Sequence, residues 1–564
     1  MIKLKTIYEL LHTSVEKFSN NIAFTMLGGE DVTYREVKER VEQVQELLLG
    51  AGLNVGDKVA LLSSSMPNWG VSYFAVTTAG MVVVPLMPDF TGEELDSLIE
   101  HSEAKALLVS DKLFTKLSKE TVSKLNIVIR TKNLSVISQT VKEQGSKCIP
   151  NPEDLAAIIY TSGTTSKPKG VMLTHYNLAS NACLCNILFP IYETDVTLSV
   201  LPMSHTYECT LGLLLIFSGG GRMTYLEKPP TPSVLLPALR KVRPTIFLIV
   251  PLIIEKVYNS QVKSKFTANK FISTLYSVGF IRRILHRIAS NKLMKAFGGR
   301  VRFLGIGGSK LHIETETFLH EGGFPYAIGY GLTETAPMVA GQIPGTCRIG
   351  ATGPAMCGVD IRLDNINPKT GLGEVVIKSP SVMQGYYKNP EATAEVFTED
   401  GWFRSGDLGE FDKDGYLYIK GRLKNMILGP SGENIYPEDI ESVLNSHAFV
   451  SESVVTEQDG QLIALVHFDS EAIEKLKGEF MTKLEITRDE WNLKKDEWNK
   501  RMEEIKQEVM KYVNSKVNRF SKITTVIEEE NEFEKTPSKK IRRFLYNNRH
   551  KEGAQSAPEN TANE

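Results

Sequence analysis

Residues 158–175 read IIYTSGTTSKPKGVMLTH. An apolar run that reads as a buried strand opens into a loop of hydroxyls, glycines and lysines, and the chain then returns to apolar residues. Thr161, Ser162, Thr164, Thr165 and Ser166 offer donor hydroxyls, and Gly163 lets backbone amides approach a ligand closely. Lys167 and Lys169 add compact positive charge ahead of Gly170. A phosphate chain would satisfy all of these groups at once, although such a loop taken alone is equally a solvated connection. A Walker A loop is excluded: counting from Gly163, the position that needs glycine holds Pro168.

The chain around this loop is 564 residues long, too long for one core, and is 42% hydrophobic and 23% charged. A formal charge of −2 provides no global attraction to nucleic acid or an anionic membrane, so any charged site is local. The six cysteines form neither CxxC pairs nor zinc-spaced clusters with histidine. Cys183 and Cys185 read as core residues of a helix. Charges interrupt the apolar runs of the N-terminal MIKLKTIYELLHTSVEKF, against a signal peptide, and no apolar span reaches the ~20 residues of a transmembrane helix. The default expectation is a cytoplasmic protein.

VTYREVKERVEQVQELLLGAG has apolar residues at helical spacing and ends on glycine, whereas DKVALLSS, VVVPLM and KALLVS read as short buried strands. LAAIIY, TIFLIV and VRFLGI continue the alternation, predicting an α/β fold: a large layered domain with parallel and mixed sheets over residues 1–423. From 424 to 552 a smaller α+β domain is expected. It contains a strand pair around Asp459-Gly460 and a charged helical insertion at about 474–517, either a solvated helix or helical hairpin or a partner-binding coiled coil. Residues 553–564 are polar and read as a disordered tail.

Three further segments narrow the chemistry. GYGLTETAP places Thr333 and Glu334 after a glycine-framed tyrosine, and a carboxylate beside a phosphate loop suits magnesium, which shares hard oxygen ligands with phosphates. WFRSGDLG supplies Asp407, able to accept from both hydroxyls of a ribose or equally a turn residue. GRLKNMI begins with Arg422 at its second position, a guanidinium fork for phosphate or sugar oxygens or equally a surface ion pair.

Together YTSGTTSKPKGV, GIGGSKL, GYGLTETAP, WFRSGDLG, GRLKNMI and KTPSKKIRR, in that order, resemble the adenylate-forming superfamily over roughly residues 8–545. The resemblance implies two steps: a carboxylate attacks the α-phosphate of ATP and expels pyrophosphate, and a thiol then takes the acyl group from AMP. By position, Thr161–Thr165 and Lys167–Gly170 resemble the loop that cradles the β- and γ-phosphates, with Thr161 and Glu334 as Mg2+ contacts. Gly307, Gly308 and Ser309 with Tyr330 and Gly331 resemble the adenine slot. Thr333 would meet the α-phosphate, and Asp407 and Arg422 the ribose. His205 in LPMSHTYE matches the histidine lining the acyl pocket. The family's adenylation lysine falls on Lys540, although Lys539 replaces the usual glycine before it. Lys424 is the hinge candidate about which the small domain would swing between steps.

LPMSHTYE, GENIYP and the helical insertion look most like the long-chain fatty acyl-CoA synthetase branch. That branch implies a fatty acid substrate and coenzyme A as acceptor; an acyl carrier protein is the competing acceptor. A non-catalytic acyl- or nucleotide-binding protein fits less well, because Glu334, Asp407, Arg422 and Lys540 are all retained. The segment FISTLYSVGFIRRILHRIASNKLMKAFGGRVRFLG is similar to the region before the adenine motif in that branch. Its apolar positions with Arg282, Arg283 and Arg287 admit two readings: peripheral contact with the inner face of a membrane, or a core-packed helix with a basic outer face.

Overall fold

The structure is a computed structural model and describes residues 4–161, 168–263, 266, 274, 276–429, 434–483, 495–536 and 540–546. The expected α/β architecture is present. The described chain divides into two compact units: the first holds the chain to Ser405 with Glu410–Tyr418, the second Gly406–Gly409 with the chain from Ile419 onward.

Besides strands of a four-stranded sheet, among them Asp360–Asp364 and Gly373–Lys378, the first unit contains two eight-stranded sheets. One runs in the order Met338–Gly341, Tyr326–Gly331, Phe303–Ile306, Ile246–Ile249, Val196–Ser199, Arg222–Tyr225, Ile22–Met26, Asp31–Thr33. The other runs Gly385–Tyr386, Lys169–Thr174, Leu155–Thr161, Val82–Pro85, Lys58–Leu62, Ala104–Val109, Ile127–Arg130, Val136–Gln139. Pairing is parallel in the middle of each sheet and antiparallel at the ends. The central strands are apolar without alternation because both faces are covered: Val59–Leu62 and Leu107–Val109 are fully buried.

Local chemistry sets the helix ends. Thr33 caps the helix Tyr34–Leu49 by accepting from the Glu36 N–H, while the Glu36 carboxylate accepts from the Thr33 N–H; Gly50 ends the helix. The helix Pro67–Thr78 has no polar face, because every one of its residues is buried. Gly70 in this helix is obligatory for packing, since a Cβ there would come within 2.9 Å of the Phe24 ring. Cys185 is buried in the helix His175–Leu188 and Cys183 is half-buried; none of the six cysteines forms a disulfide. Among the described residues no helix is long and apolar enough to cross a membrane.

The second unit contains the antiparallel strands Val450–Gln458 and Gln461–Phe468, with Thr525–Glu528 parallel to the latter. Asp459 and Gly460 both have positive φ, 52° and 76°, the backbone of a two-residue hairpin turn. The charged segment becomes two helices, Ser470–Lys483 and Lys495–Asn514. The second of these helices is not wholly solvated. Met502, Ile505, Val509 and Val513 recur at three- and four-residue spacing and pack into a core with Ile440, Leu444 and Leu462, leaving the charges on the outer face. The tail at 553–564 lies outside the described residues.

The first sheet's strand Val196–Ser199 is followed by a π-helical stretch, Tyr207–Leu214, which holds the fully buried Glu208. Gly212 makes room for this side chain, because a Cβ there would lie 2.6 Å from the Glu208 carboxyl carbon. Burial pushes the Glu208 carboxyl up to about 7. Its folded value lies above its unfolded value, so the unfolded chain gives up this proton first as pH rises. The resulting destabilisation grows between about pH 4.5 and 7 and reaches about 3 kcal/mol. Glu208→Gln removes this contribution: its melting temperature, relative to wild type, should rise progressively from pH 5 to 7.5, read by scanning calorimetry.

Candidate functional site

The polar loop that opens the sequence leaves one strand at Thr161 and re-enters its antiparallel neighbour at Lys169, and these two residues pair directly. The Thr161 hydroxyl donates to the Lys169 carbonyl at 3.4 Å. Ser162, Gly163, Thr164, Thr165 and Lys167 lie outside the described residues. Gly170 cannot carry a side chain without displacement, since a Cβ would meet Ile158 at 2.9 Å and Tyr160 at 3.2 Å.

The short strand Gly385–Tyr386 pairs with the loop's outgoing strand, Tyr386 opposite Val171. The Lys169 ammonium sits over the buried Tyr386 ring, 4.8 Å from its centroid, and the Tyr386 hydroxyl donates to Glu334 Oε1 at 2.9 Å. Glu334 stands in the tight turn Thr333–Thr335, and its carbonyl accepts from the Met383 N–H at 2.8 Å. The structure therefore brings Lys169 and Glu334 together through a residue that sequence reading missed. Tyr386 carries no motif of its own; only the pairing of its strand with the loop's strand reveals it.

Upstream of Glu334, Tyr330 and Gly331 end the strand Tyr326–Gly331. A Cβ at Gly331 would land 1.8 Å from the Pro337 carbonyl oxygen, so only glycine permits this turn. Thr335 closes it: its hydroxyl accepts from the Leu332 N–H at 3.0 Å and donates to the Pro337 carbonyl. Buried Asn181 then donates to the carbonyls of Thr335 and Met338, fastening the turn to the helix His175–Leu188. The half-buried Thr333 and Tyr330 are thus held on a backbone with little freedom.

Gly307, Gly308 and Ser309 follow the adjacent strand Phe303–Ile306, where Ile306 pairs with Ile328. Gly307 is buried and donates its N–H to the Ile249 carbonyl at 3.3 Å; Gly308, at φ 93°, and Ser309 are exposed. Tyr207 lies beside this glycine run: a Cβ on Gly305 would be 3.3 Å from its hydroxyl, and one on Gly307 3.5 Å from its ring. The Tyr207 N–H donates to His205 Nδ1 at 3.1 Å. That bond makes Nδ1 the acceptor and leaves the proton of a neutral ring on Nε2. His205 and the glycine run accordingly share one end of the first sheet. Glu208, the buried acid next to Tyr207, was not singled out in the sequence.

Within the second unit, Asp407 and Arg422 face each other, Arg422 Nε lying 2.8 Å from Asp407 Oδ1. Asp407 is buried on the strand Phe403–Phe411 and Arg422 ends the strand Leu417–Arg422. Exposed Lys424 follows in a one-turn 3-10 helix, Leu423–Asn425, flanked by extended residues; Asn425 donates to Glu438 at 2.6 Å.

Lys540 is exposed, and its backbone is tied to Thr536 twice: the Thr536 N–H donates to the Lys540 carbonyl at 2.7 Å, and the Lys540 N–H donates to the Thr536 hydroxyl at 3.1 Å. Lys535 pairs with Glu452 at 2.7 Å on one side, and half-buried Arg543 forms an ion pair with buried Glu441 on the other. Glu441 also accepts from the Val455 N–H at 2.7 Å. Lys539 lies outside the described residues. Removing one partner of a buried pair leaves a stranded charge, at a cost of about 3–5 kcal/mol. Arg543→Ala should therefore lose protection from hydrogen exchange across 535–546, while the strand pair 450–468 exchanges as in wild type.

The AMP-binding enzyme family matches residues 11–387. Long-chain-fatty-acid–CoA ligase 5 of Rattus norvegicus is 30% identical over 468 residues, covering 73% of this chain and 67% of that protein. Long chain acyl-CoA synthetase 7, peroxisomal, of Arabidopsis thaliana is 29% identical over 487 residues, covering 78% and 69%. Among solved structures, ATP-bound MatB from Rhodopseudomonas palustris aligns with a TM-score of 0.75 at 24% identity, over 98% of this chain and 100% of that one. MenE from Bacillus subtilis with ATP and magnesium aligns at 0.72 and 21% identity, over 95% and 98%. These two likenesses establish the fold. On the extent of the family match and the identity to the rat ligase, the chain belongs to the AMP-binding enzyme family.

Proposed function

We propose that the chain is an ATP-dependent long-chain fatty acid–CoA ligase. A fatty acid carboxylate oxygen bonds to the α-phosphorus of ATP, the bond to the β-phosphate breaks, and pyrophosphate leaves. The sulfur of coenzyme A then bonds to the acyl carbon, AMP departs with the oxygen, and the thiol proton passes to solvent. The observation that carries this reading is the convergence of Lys169 and Glu334 on Tyr386 at the mouth of the loop 162–168. The names of both relatives support coenzyme A, rather than an acyl carrier protein, as acceptor.

The first step joins two anions, so the chain's contribution is positioning and charge compensation. Lys169, with Lys167 and the hydroxyls of Thr161, Ser162, Thr164 and Thr165, holds the β- and γ-phosphates, and Gly163 and Gly170 let the backbone come close. Thr161 and Glu334 offer magnesium a hydroxyl and a carboxylate oxygen. Phosphate oxygens and water complete such a set, which fits an ion that takes few protein ligands; among the described residues no cluster of three acidic, histidine or cysteine side chains could hold a metal alone. Bound magnesium would neutralise phosphate charge. Gly307, Gly308, Ser309, Tyr330 and Gly331 receive adenine, Asp407 and Arg422 the ribose, and Thr333 the α-phosphate. His205 lines the carboxylate end of the acyl pocket. Lys540 donates to the reacting carboxylate and α-phosphate, and Lys424 is the hinge at the division between residues 1–423 and 424–552. Six cysteines outside any disulfide are compatible with a reducing setting.

Pyrophosphate release across fatty acids of graded length, with and without coenzyme A, tests the assignment. Release should require a long-chain acid and persist as a single turnover without coenzyme A; release that is independent of any acid rejects it. Lys540→Ala should slow pyrophosphate release about 10²-fold or more while ATP binding survives. Tyr386→Phe deletes one hydrogen bond to a carboxylate, about 1.5–3 kcal/mol. It should lower kcat/KM for ATP by about tenfold or more and leave the circular dichroism spectrum unchanged.

A further inference from the structure

Two exposed residues near the phosphate loop stand in a backbone conformation that does not suit them. Glu103, which ends the helix Gly92–Ser102, has φ 57°, and Lys388, just past the strand Gly385–Tyr386, has φ 54°. Both values lie in the left-handed region, where a side chain is strained and glycine is the ordinary occupant. The chain carries a glutamate and a lysine there instead, and the two meet: Lys388 Nζ lies 2.9 Å from Glu103 Oε1.

An isolated exposed ion pair contributes little, but this one is part of a network. Tyr387 donates its hydroxyl to Glu103 Oε2 at 2.8 Å, and Lys58 approaches the same oxygen at 3.6 Å. The Lys388 ammonium also donates to the His101 carbonyl at 3.1 Å, so it closes over the last turn of the helix. Lys388 and Lys58 both lie over the Tyr387 ring, 5.2 Å and 5.7 Å from its centroid. Hydrogen bonds from Lys388 and Tyr387 hold the Glu103 carboxyl down at about 2, so it stays ionised throughout the neutral range.

This corner holds both ends of the phosphate loop. His101 Nδ1 lies 2.7 Å from the hydroxyl of Tyr160, which precedes Thr161 and pairs with Gly170 across the loop. Tyr387 donates its N–H to the Gly170 carbonyl at 2.7 Å. Successive side chains of a strand point to opposite faces. Tyr387 accordingly meets Glu103 behind the edge strand, while Tyr386 meets Lys169 and Glu334 in front of it.

We propose that Glu103 and Lys388 are positioning residues for the magnesium nucleotide. Through Tyr387 they fix the back of the edge strand, and so place the Tyr386 hydroxyl on Glu334 beside the loop lysine. MgATP is the ligand at this edge on the ligase reading, on which the assignment rests. Glycine at either position would relax the backbone but release the strand, which gives the two strained residues a reason to be there.

Glycine substitution separates positioning from folding, because it removes the charge while relieving the strain. Glu103→Gly and Lys388→Gly should each keep the melting temperature within about 3 °C of wild type. Each should nonetheless weaken MgATP binding about three- to tenfold, read by isothermal titration calorimetry on the full chain. In a Tyr386→Phe background, Glu103→Gly should cost less than about twofold more, because the hydrogen bond it acts through is already gone. Unchanged affinity in either glycine variant overturns the proposal, and so does a loss of undiminished size in the Tyr386→Phe background. Affinity that falls only together with the melting temperature marks a purely structural pair and also overturns it. The titration needs neither fatty acid nor coenzyme A. Wild type that binds MgATP yet releases no pyrophosphate with any fatty acid therefore rejects the ligase reading alone, while the variants still decide the positioning roles.

Discussion

Two eight-stranded sheets must meet at one carboxylate, and the geometry of the first unit follows from that requirement. Glu334 hangs from a turn at the end of the first sheet, yet its side chain accepts from Tyr386 and its carbonyl from Met383, both beside an edge strand of the second sheet. Neither sheet alone forms the site. The meeting is rigid because Gly331, Thr335 and Asn181 leave the turn no alternative path, and because Tyr386 spends its ring on Lys169 and its hydroxyl on Glu334. A polar edge between two sheets is where a chain can gather charge without burying it unpaired.

The second unit solves a different problem, presenting a lysine on a segment with little core of its own. It does so by anchoring the segment on both sides of Lys540, with a half-buried pair at Lys535 and, at Arg543, a pair whose carboxylate, Glu441, is buried. Phe533 and Tyr546 pack edge to face with centroids 5.0 Å apart, and the Glu534 N–H donates to the Tyr546 hydroxyl, closing the segment's base. The spacing from Thr536 to Lys540 acquires a physical meaning here: the threonine hydroxyl caps the lysine's own backbone.

Much of this was legible in the residues. Thr33 with Glu36, Gly50, and Asp459-Gly460 act through backbone chemistry within four residues, so their patterns state their structures directly. The central strands were equally plain, because parallel strands buried on both faces have no polar positions to interrupt them. The glycine run at 307–308 and the turn at 333–335 were found as motifs, but the reasons for them were not visible: Gly331 is dictated by a carbonyl six residues away and Gly212 by a carboxyl on the preceding turn. Tyr386 was missed because its partners lie 52 and more than 200 positions upstream. The helix Lys495–Asn514 was read from its charges because they outnumber the four apolar residues that decide where it packs.

The hydrogen bond from Tyr207 to His205 fixes the imidazole as well as the chain. With Nδ1 engaged as an acceptor by a backbone N–H two residues on, a neutral ring carries its proton on Nε2, so tautomer and ring direction are both set by the start of the π-helical stretch itself.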